Sequence, residues 1–213
     1  MTRLRITEIF FSLQGETRSV GLPTVFIRLT GCPLRCQYCD TAYAFYGGQY
    51  KTLPEILAEV ARYNAHYVTV TGGEPLAQPE CLILLNALCD QGYEVSLETS
   101  GALNVGNVDK RVVKVIDLKT PGSGEVEKND FTNIEHLLPH DQVKFVLCDR
   151  QDYDWAKQHL SQYNLWNRCE ILFSPSHGQL ANDTLAEWIL QDQLAVRFQL
   201  QLHKYIWGDI PGR

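Results

Sequence analysis

Three cysteines fall within eight residues, Cys32, Cys36 and Cys39, in the spacing C-x3-C-x2-C. Thiolates grouped this way bind iron–sulfur clusters or zinc. Four protein ligands complete either site, and only three cluster here. Either a distant side chain closes the shell, or one metal is left open for something else to bind. Cys81, Cys89, Cys148 and Cys169 are the distant candidates. Cys81 and Cys89 sit in a helical pattern, and Cys148 and Cys169 in or beside strand-like runs. Buried free cysteine there packs as a small apolar side chain. No histidine lies near the triplet, and both metal readings stay open on these residues alone.

Other residues able to do chemistry also stand at the ends of apolar runs. Gly72-Gly73-Glu74-Pro75 follows Tyr67–Thr71 (YVTVT). Glycines there let backbone come close to a ligand, although Gly-Gly-x-Pro is also ordinary turn punctuation. Arg28 lies inside the apolar run Thr24–Thr30 and needs a partner or a cavity; its fork suits a carboxylate.

The elements that must hold these residues are readable from periodicity. Residues Ile6–Leu13 read as a strand or extended segment, and Thr24–Thr30 as a buried strand rich in β-branched residues. Tyr43–Tyr50, aromatic and Gly-containing, reads as a loop. Leu53, Ile56, Leu57, Val60 and Ala61 recur at helical spacing after a capping box of Thr52 and Glu55, with Pro54 in the first turn. Strand Tyr67–Thr71 precedes a helix from Pro79 to about Asp90. Strands follow at Tyr93–Thr99, Val112–Leu118, Gln142–Cys148, Cys169–Phe173 and Val196–Leu202. Helices are expected over Asp152–Tyr163 and Asn182–Gln193, the latter capped by Asn182 or Asp183. Strands and helices alternate every 25–30 residues or so, the pattern of a parallel sheet with covering helices. Eight such units need roughly 250 residues. With 213 residues the expected fold is α/β, an open, partial TIM-like barrel of six or seven mostly parallel strands, in one domain spanning 1–213. Ligands in such folds bind at the C-terminal ends of the strands.

The totals exclude several classes. Net charge is −6, which argues against a nucleic-acid surface. No apolar run reaches membrane-spanning length, and no signal-like segment opens the chain. Seven cysteines, with three in a tight motif, argue against a secreted disulfide framework and for a reducing cytoplasm.

The cysteine triplet, with Tyr38 just before its third member, resembles the radical S-adenosylmethionine (SAM) superfamily, and the Gly-Gly-Glu-Pro turn in its proper order strengthens the match. Ser12-Leu13-Gln14-Gly15-Glu16, Asp40-Thr41 after Cys39, Glu98-Thr99-Ser100-Gly101 and Leu202-His203-Lys204-Tyr205 narrow the likeness to the 7-carboxy-7-deazaguanine synthase family. That resemblance implies ring contraction of 6-carboxy-5,6,7,8-tetrahydropterin to 7-carboxy-7-deazaguanine, with loss of ammonia and SAM regenerated, in queuosine and 7-deazapurine biosynthesis. It implies a 4Fe–4S cluster on Cys32, Cys36 and Cys39, with the chemistry carried by cluster and SAM rather than by a catalytic side chain. It implies Mg²⁺ on Thr41. Substrate contacts fall on Leu13, Gln14, Gly15, Glu16, Arg28, Thr71 and His203, the last placed on the final strand. SAM contacts fall on Tyr38, Cys39, Asp40, Gly73, Glu74, Thr99 and Ser100. The family often carries Ser-Pro-Lys after its fourth core strand. This chain has Asp117, Leu118 and Lys119 there, with a looser match at Phe173, Ser174, Pro175 and Ser176. A flavodoxin or ferredoxin donor and a homodimer are implied as partners. A glycyl-radical enzyme activase is the alternative within the superfamily, and a non-enzymatic metal module the alternative outside it.

Overall fold

The computed structural model describes residues 2–208 and 210–212. In chain order the elements are β1 (Arg3–Leu13), β2 (Pro23–Leu29), β3 (Gln49–Thr52), α1 (Leu53–Val60), β4 (Tyr67–Gly72), α2 (Cys81–Asp90), β5 (Glu94–Thr99), β6 (Val113–Asp117), β7 (Gln142–Leu147), α3 (Arg150–Gln162), β8 (Glu170–Pro175), α4 (Asn182–Gln191), β9 (Arg197–Phe198) and α5 (Leu202–Trp207). They build one sheet in the order β3-β1-β2-β4-β5-β6-β7-β8-β9. From β2 to β9 every pairing is parallel; β1 runs antiparallel to β2, and β3 antiparallel to β1. The ends do not meet, so the barrel stays open. Seven parallel strands match the expected count, and two antiparallel strands extend them.

Alternation along each strand sorts the side chains. Val25, Ile27 and Leu29, Val68 and Val70, Val95 and Leu97, and Val143, Phe145 and Leu147 join one hydrophobic core with residues of α1 to α4. The intervening residues Phe26, Arg28, Thr71, Glu98, Val115, Asp117, Lys144 and Val146 face a cavity on the other side. α1 begins at the foreseen capping box: Thr52 Oγ1 accepts from Glu55 N, and Glu55 Oε2 accepts from Thr52 N at 2.7 Å.

Three local expectations are corrected. The Tyr43–Tyr50 loop ends in a short strand, because residues 49–52 pair with Arg3–Ile6. Asn182 and Asp183 do not cap α4. Ala181 holds that position, and Asp183 Oδ1 accepts from the next residue's N–H, Thr184 N. The final strand is only two residues long, and Leu202–Trp207 is helical. Its chain leaves the sheet because Leu202 N donates to Gly15 O, 2.9 Å away, across the barrel.

Candidate active site

A cavity of about 330 Å³ opens at the C-terminal ends of the parallel strands. Of the residues singled out from sequence, Leu13, Gln14, Gly15, Glu16, Arg28, Cys32, Cys36, Tyr38, Cys39, Asp40, Thr41, Thr71, Gly73, Thr99, Ser100, Asp117, Lys119, Ser176 and His203 line it.

The cysteine loop leaves β2 and is fixed by backbone. Gly31 N donates to Ala44 O, Glu74 N to Gly31 O at 2.8 Å, and Gly73 N to Leu29 O at 3.1 Å. The loop therefore rests on the turn after β4. A Cβ on Gly73 would lie 2.3 Å from Gly31 O, which makes glycine obligatory there. All three thiols are free and half-buried. Burial pushes the Cys36 thiol up to about 11, opposed by the Lys119 ammonium, and burial also raises Cys32. Among the described residues no three His, Cys, Asp or Glu side chains converge tightly enough for a single metal ion. Three free thiols on one cavity wall, with no histidine beside them in sequence, suit a thiolate-held iron–sulfur cluster. Cys81 is fully buried in the core, and Cys89 and Cys169 pack against it.

Beside the thiols, Lys119 Nζ pairs with Asp117 Oδ2 at 2.8 Å and lies 5.9 Å from the Tyr38 ring centre. Burial works against the Lys119 ammonium, yet the Asp117 carboxylate and Cys36 raise its pKa overall. Tyr38 Oη and Asp117 Oδ1 are buried and have no hydrogen-bond partner among the described residues. Unsatisfied buried polar atoms are costly, so a donor and an acceptor waiting on a cavity wall fit a polar ligand such as the aminoacyl end of SAM.

The opposite wall is a network of charges. Glu16 pairs with Lys144 and accepts from Gln201 Nε2 at 3.0 Å. Gln14 is buried, with Nε2 donating to Thr69 Oγ1 and Glu98 Oε1 and Oε1 accepting from Glu16 N. Thr71 Oγ1 donates to Glu98 Oε2 at 3.1 Å. Gln14 and Thr71 thus aim one carboxylate, that of Glu98, which was not singled out as a site residue from sequence and sits at the centre. Its signal was available: a carboxylate on the inward register of β5, beside Thr99 and Ser100. Arg28 donates from Nε to Glu8 Oε1 at 2.7 Å, flanked by the rings of Phe10 and Tyr43. Asp40 accepts from Gln201 Nε2 at 3.2 Å and pairs with Lys204 at 3.4 Å. His203 lies on α5, where a Cβ on Gly15 would come 2.1 Å from its Nδ1. Thr41 Oγ1 lies 3.8 Å from Cys39 Sγ; Thr41 stands at the start of a 3-10 turn over Ala42–Ala44, and its side chain makes no capping hydrogen bond there.

The two carboxylates titrate in opposite senses. Burial raises Glu98, and the Glu16 charge raises it further. For Glu16 burial also raises, but Lys144 overrides it and the pKa falls. The Glu16 contribution to stability is therefore complete above the ordinary carboxylate range and lost as pH falls through its depressed value. The Glu98 contribution is complete below that range and lost as pH rises through its elevated value. Lys144→Met should destabilise the fold by roughly 2–3 kcal/mol, less than a fully buried pair because Gln201 still donates to Glu16. Urea unfolding at neutral pH measures this; an unchanged midpoint would show that the pair carries no stability.

Five expected SAM contacts are not on the cavity wall. Glu74 is fully buried behind it, its carboxylate accepting from Thr99 Oγ1, Ser100 N, Ser100 Oγ and Leu76 N. Leu118 and Phe173 belong to the core. Phe173 shares the register of Ile171, which faces the helices, and so cannot face the cavity. Ser174 and Pro175 are buried in β8, and only Ser176 of that stretch reaches the wall. Lys144, Gln201, Gln179, His177, Phe10 and Phe26 line the cavity without having been singled out.

An open parallel barrel whose first parallel strand delivers three thiols to a polar cavity is the architecture of a radical SAM protein, and the family model described as Radical SAM superfamily matches residues 26–117. The chain is 47% identical to 7-carboxy-7-deazaguanine synthase of Chlorobaculum tepidum over 96% of its length and 94% of that protein's. It is 43% identical to the enzyme of the same name from Koribacter versatilis, covering 96% and 97% of the two chains. The chain belongs to the 7-carboxy-7-deazaguanine synthase family. The crystal structure of QueE from Escherichia coli shares the fold, with a TM-score of 0.79 at 23% identity over 94% of this chain and 95% of that one.

Proposed function

We propose that this chain converts 6-carboxy-5,6,7,8-tetrahydropterin to 7-carboxy-7-deazaguanine with loss of ammonia. The observation that carries the reading is a single cavity holding both the thiol wall and the Glu16–Glu98–Arg28 wall, in a chain 47% identical to a synthase of that name. The glycyl-radical activase is not favoured, since the relatives that match nearly the whole chain carry the synthase name.

Cys32, Cys36 and Cys39 would hold the 4Fe–4S cluster, with Tyr38, Asp117 and Lys119 beside them toward SAM. A cluster and SAM held there would supply one-electron reductive cleavage of SAM and, with it, hydrogen-atom abstraction from substrate. The chain's own residues do the remainder. Glu16 and Glu98 present acceptor oxygens to the amino and ring N–H edge of a pterin. Arg28 holds its guanidinium toward a carboxylate, with only Nε spent on Glu8 among the described residues. Gln14 and Thr71 orient Glu98, and His203 on α5 covers the mouth. Mg²⁺ would bind at Thr41, sharing water and the substrate carboxylate, as that ion does with few protein ligands. A flavodoxin or ferredoxin would supply the electron. We infer a homodimer in the cytoplasm, acting as one domain over 1–213; among the described residues no helix is long and apolar enough to cross a membrane. In the tail, a Cβ on Gly212 would lie 3.6 Å from Glu8 Oε2, the carboxylate that pairs with Arg28, while Asp209 and Arg213 lie outside the described residues.

The test is anaerobic turnover of the reconstituted protein with the carboxylated pterin, SAM, Mg²⁺ and a reductant. A deazaguanine product is expected; its absence with an intact cluster refutes the reading. Thr41→Ala should raise the Mg²⁺ concentration needed for half-maximal rate by about tenfold or more, the scale of losing a group from a metal's shell. An unaltered Mg²⁺ titration would remove Thr41 from that role.

A further inference from the structure

The cysteine loop has an outer face as well as the inner one. Arg35 lies there, exposed. Its NH1 donates to Cys32 O at 2.8 Å and Leu34 O at 2.6 Å, its NH2 to Tyr46 Oη at 3.0 Å, and its guanidinium lies 4.3 Å from the Phe45 ring centre. Tyr46 is 72% exposed and Tyr50 is 67% exposed. Arg3 lies 5.8 Å from the Tyr50 ring centre. Arg3 and Arg5 are exposed on the face of β1 opposite buried Leu4 and Ile6, and Arg5 stands in register with Tyr50.

Among the described residues none of these three arginines makes an ion pair. Glu125 accepts from the backbone of Arg35, not from its guanidinium. A chain of net charge −6 therefore exposes Arg3 and Arg5 where Arg5 O accepts from Thr30 N, just before the cysteine loop, and Arg35 on that loop beside Glu125, with exposed tyrosine next to both groups. Arginine and tyrosine are the residues that anchor protein interfaces, and a localised charge of one sign steers a partner of the other.

The position of these arginines supplies their purpose. The inner face of the loop is committed to the cavity, so an electron must arrive from outside. Arg35 is hydrogen-bonded to the carbonyl of Cys32, itself a thiolate ligand under the proposed function. We propose that Arg3, Arg5, Arg35, Tyr46 and Tyr50 form the docking surface for a small acidic protein carrying a one-electron centre. The docked carrier is oxidised by one electron and the thiolate-bound iron centre is reduced by one, with no bond or proton changing hands. This rests on the radical SAM reading of the cavity and adds where its reductant binds.

The experiment compares two reductants on the reconstituted holoenzyme, an acidic flavodoxin and dithionite. Cluster reduction is read as loss of visible absorbance in stopped flow, which needs no turnover. Failure of the docking surface is thus distinct from failure of the pterin reaction. The variants are Arg3→Glu/Arg5→Glu and Arg35→Gln; the first leaves the cysteine loop untouched, should the second disturb it. With flavodoxin at low salt, both should slow reduction by about tenfold or more, and the steep salt dependence of the parent protein should flatten. With dithionite, both should match the parent. Unchanged flavodoxin rates in both variants overturn the proposal. So do equal losses with both reductants. So does conversion of a dimer to monomers by Arg3→Glu/Arg5→Glu in sedimentation, which would give the surface to a second copy of the chain.

Discussion

Cys36→Ala leaves a protein that, after anaerobic reconstitution, retains no stable cluster and cleaves no SAM. The reason is arithmetic in ligands. The thiol wall offers three cysteines, and the remaining four are placed elsewhere, Cys81 in the core and Cys89 and Cys169 packed against it. A cluster held by two thiolates, with one iron already reserved for SAM, has two irons open to water. The effect is a loss of turnover to background, measured by iron content, visible absorbance and 5′-deoxyadenosine formation. Cys89→Ala is the matched control. Cys89 packs against the core on α2, well outside the cavity wall, and its loss should leave the iron count intact. Four irons retained by Cys36→Ala would show that the cluster sits elsewhere.

Glu74→Ala has a different signature, because it strikes the fold before the chemistry. The Glu74 carboxylate gathers donors from three places: Thr99 Oγ1 at 2.9 Å, Ser100 N at 2.7 Å with Ser100 Oγ at 2.5 Å, and Leu76 N at 3.0 Å. Truncation strands these buried donors. At about 1–3 kcal/mol for each unmade bond, some of it relieved by relaxation, the loss is roughly 4 kcal/mol. For a chain of this length that lowers Tm by about 10 °C. Thermal unfolding of the cluster-free protein measures it without interference from cofactors. The prediction separates two roles for the same residue. A carboxylate that merely touched SAM would, on removal, weaken SAM binding and leave the cluster-free Tm where it was. A clamp that joins the ends of β4 and β5 must cost stability first. An unshifted Tm would return Glu74 to the cavity.

What could be read in advance follows the range of the interactions. The α1 capping box is local, three residues from end to end, and it forms as its sequence dictates. Arg28 could be expected beside a partner or a cavity because a charge stood inside an apolar run, whereas the place of Thr71 came from the family resemblance; the alternation along β2, β4, β5 and β7 accounts for both. β3 could not be read, because Gln49–Thr52 becomes a strand only through its pairing with Arg3–Ile6, more than forty residues earlier. The alternating run after Val196 suggests a long strand. Its glutamines instead serve side-chain contacts, with Gln201 Nε2 divided between Glu16 and Asp40. A polar residue that alternates correctly is indistinguishable in sequence from one recruited by a distant carboxylate. Phe173 shows the converse: local sequence likeness placed it against SAM, while its register turned it into the core.

The backbone bonds from Gly73 and Glu74 to Leu29 and Gly31 have a bearing on how this protein can change over time. The spacing between the cysteine segment and its neighbouring turn is written into main-chain atoms, which substitutions elsewhere leave in place; only at Gly72 and Gly73, where a Cβ would meet the backbone of Leu29 and Gly31, does the side chain itself matter. Side chains around the pterin end can therefore be exchanged one by one, retuning what is accepted, without moving the radical source. Selectivity and radical generation are in this sense separately heritable, and a designer could rebuild the first while inheriting the second intact.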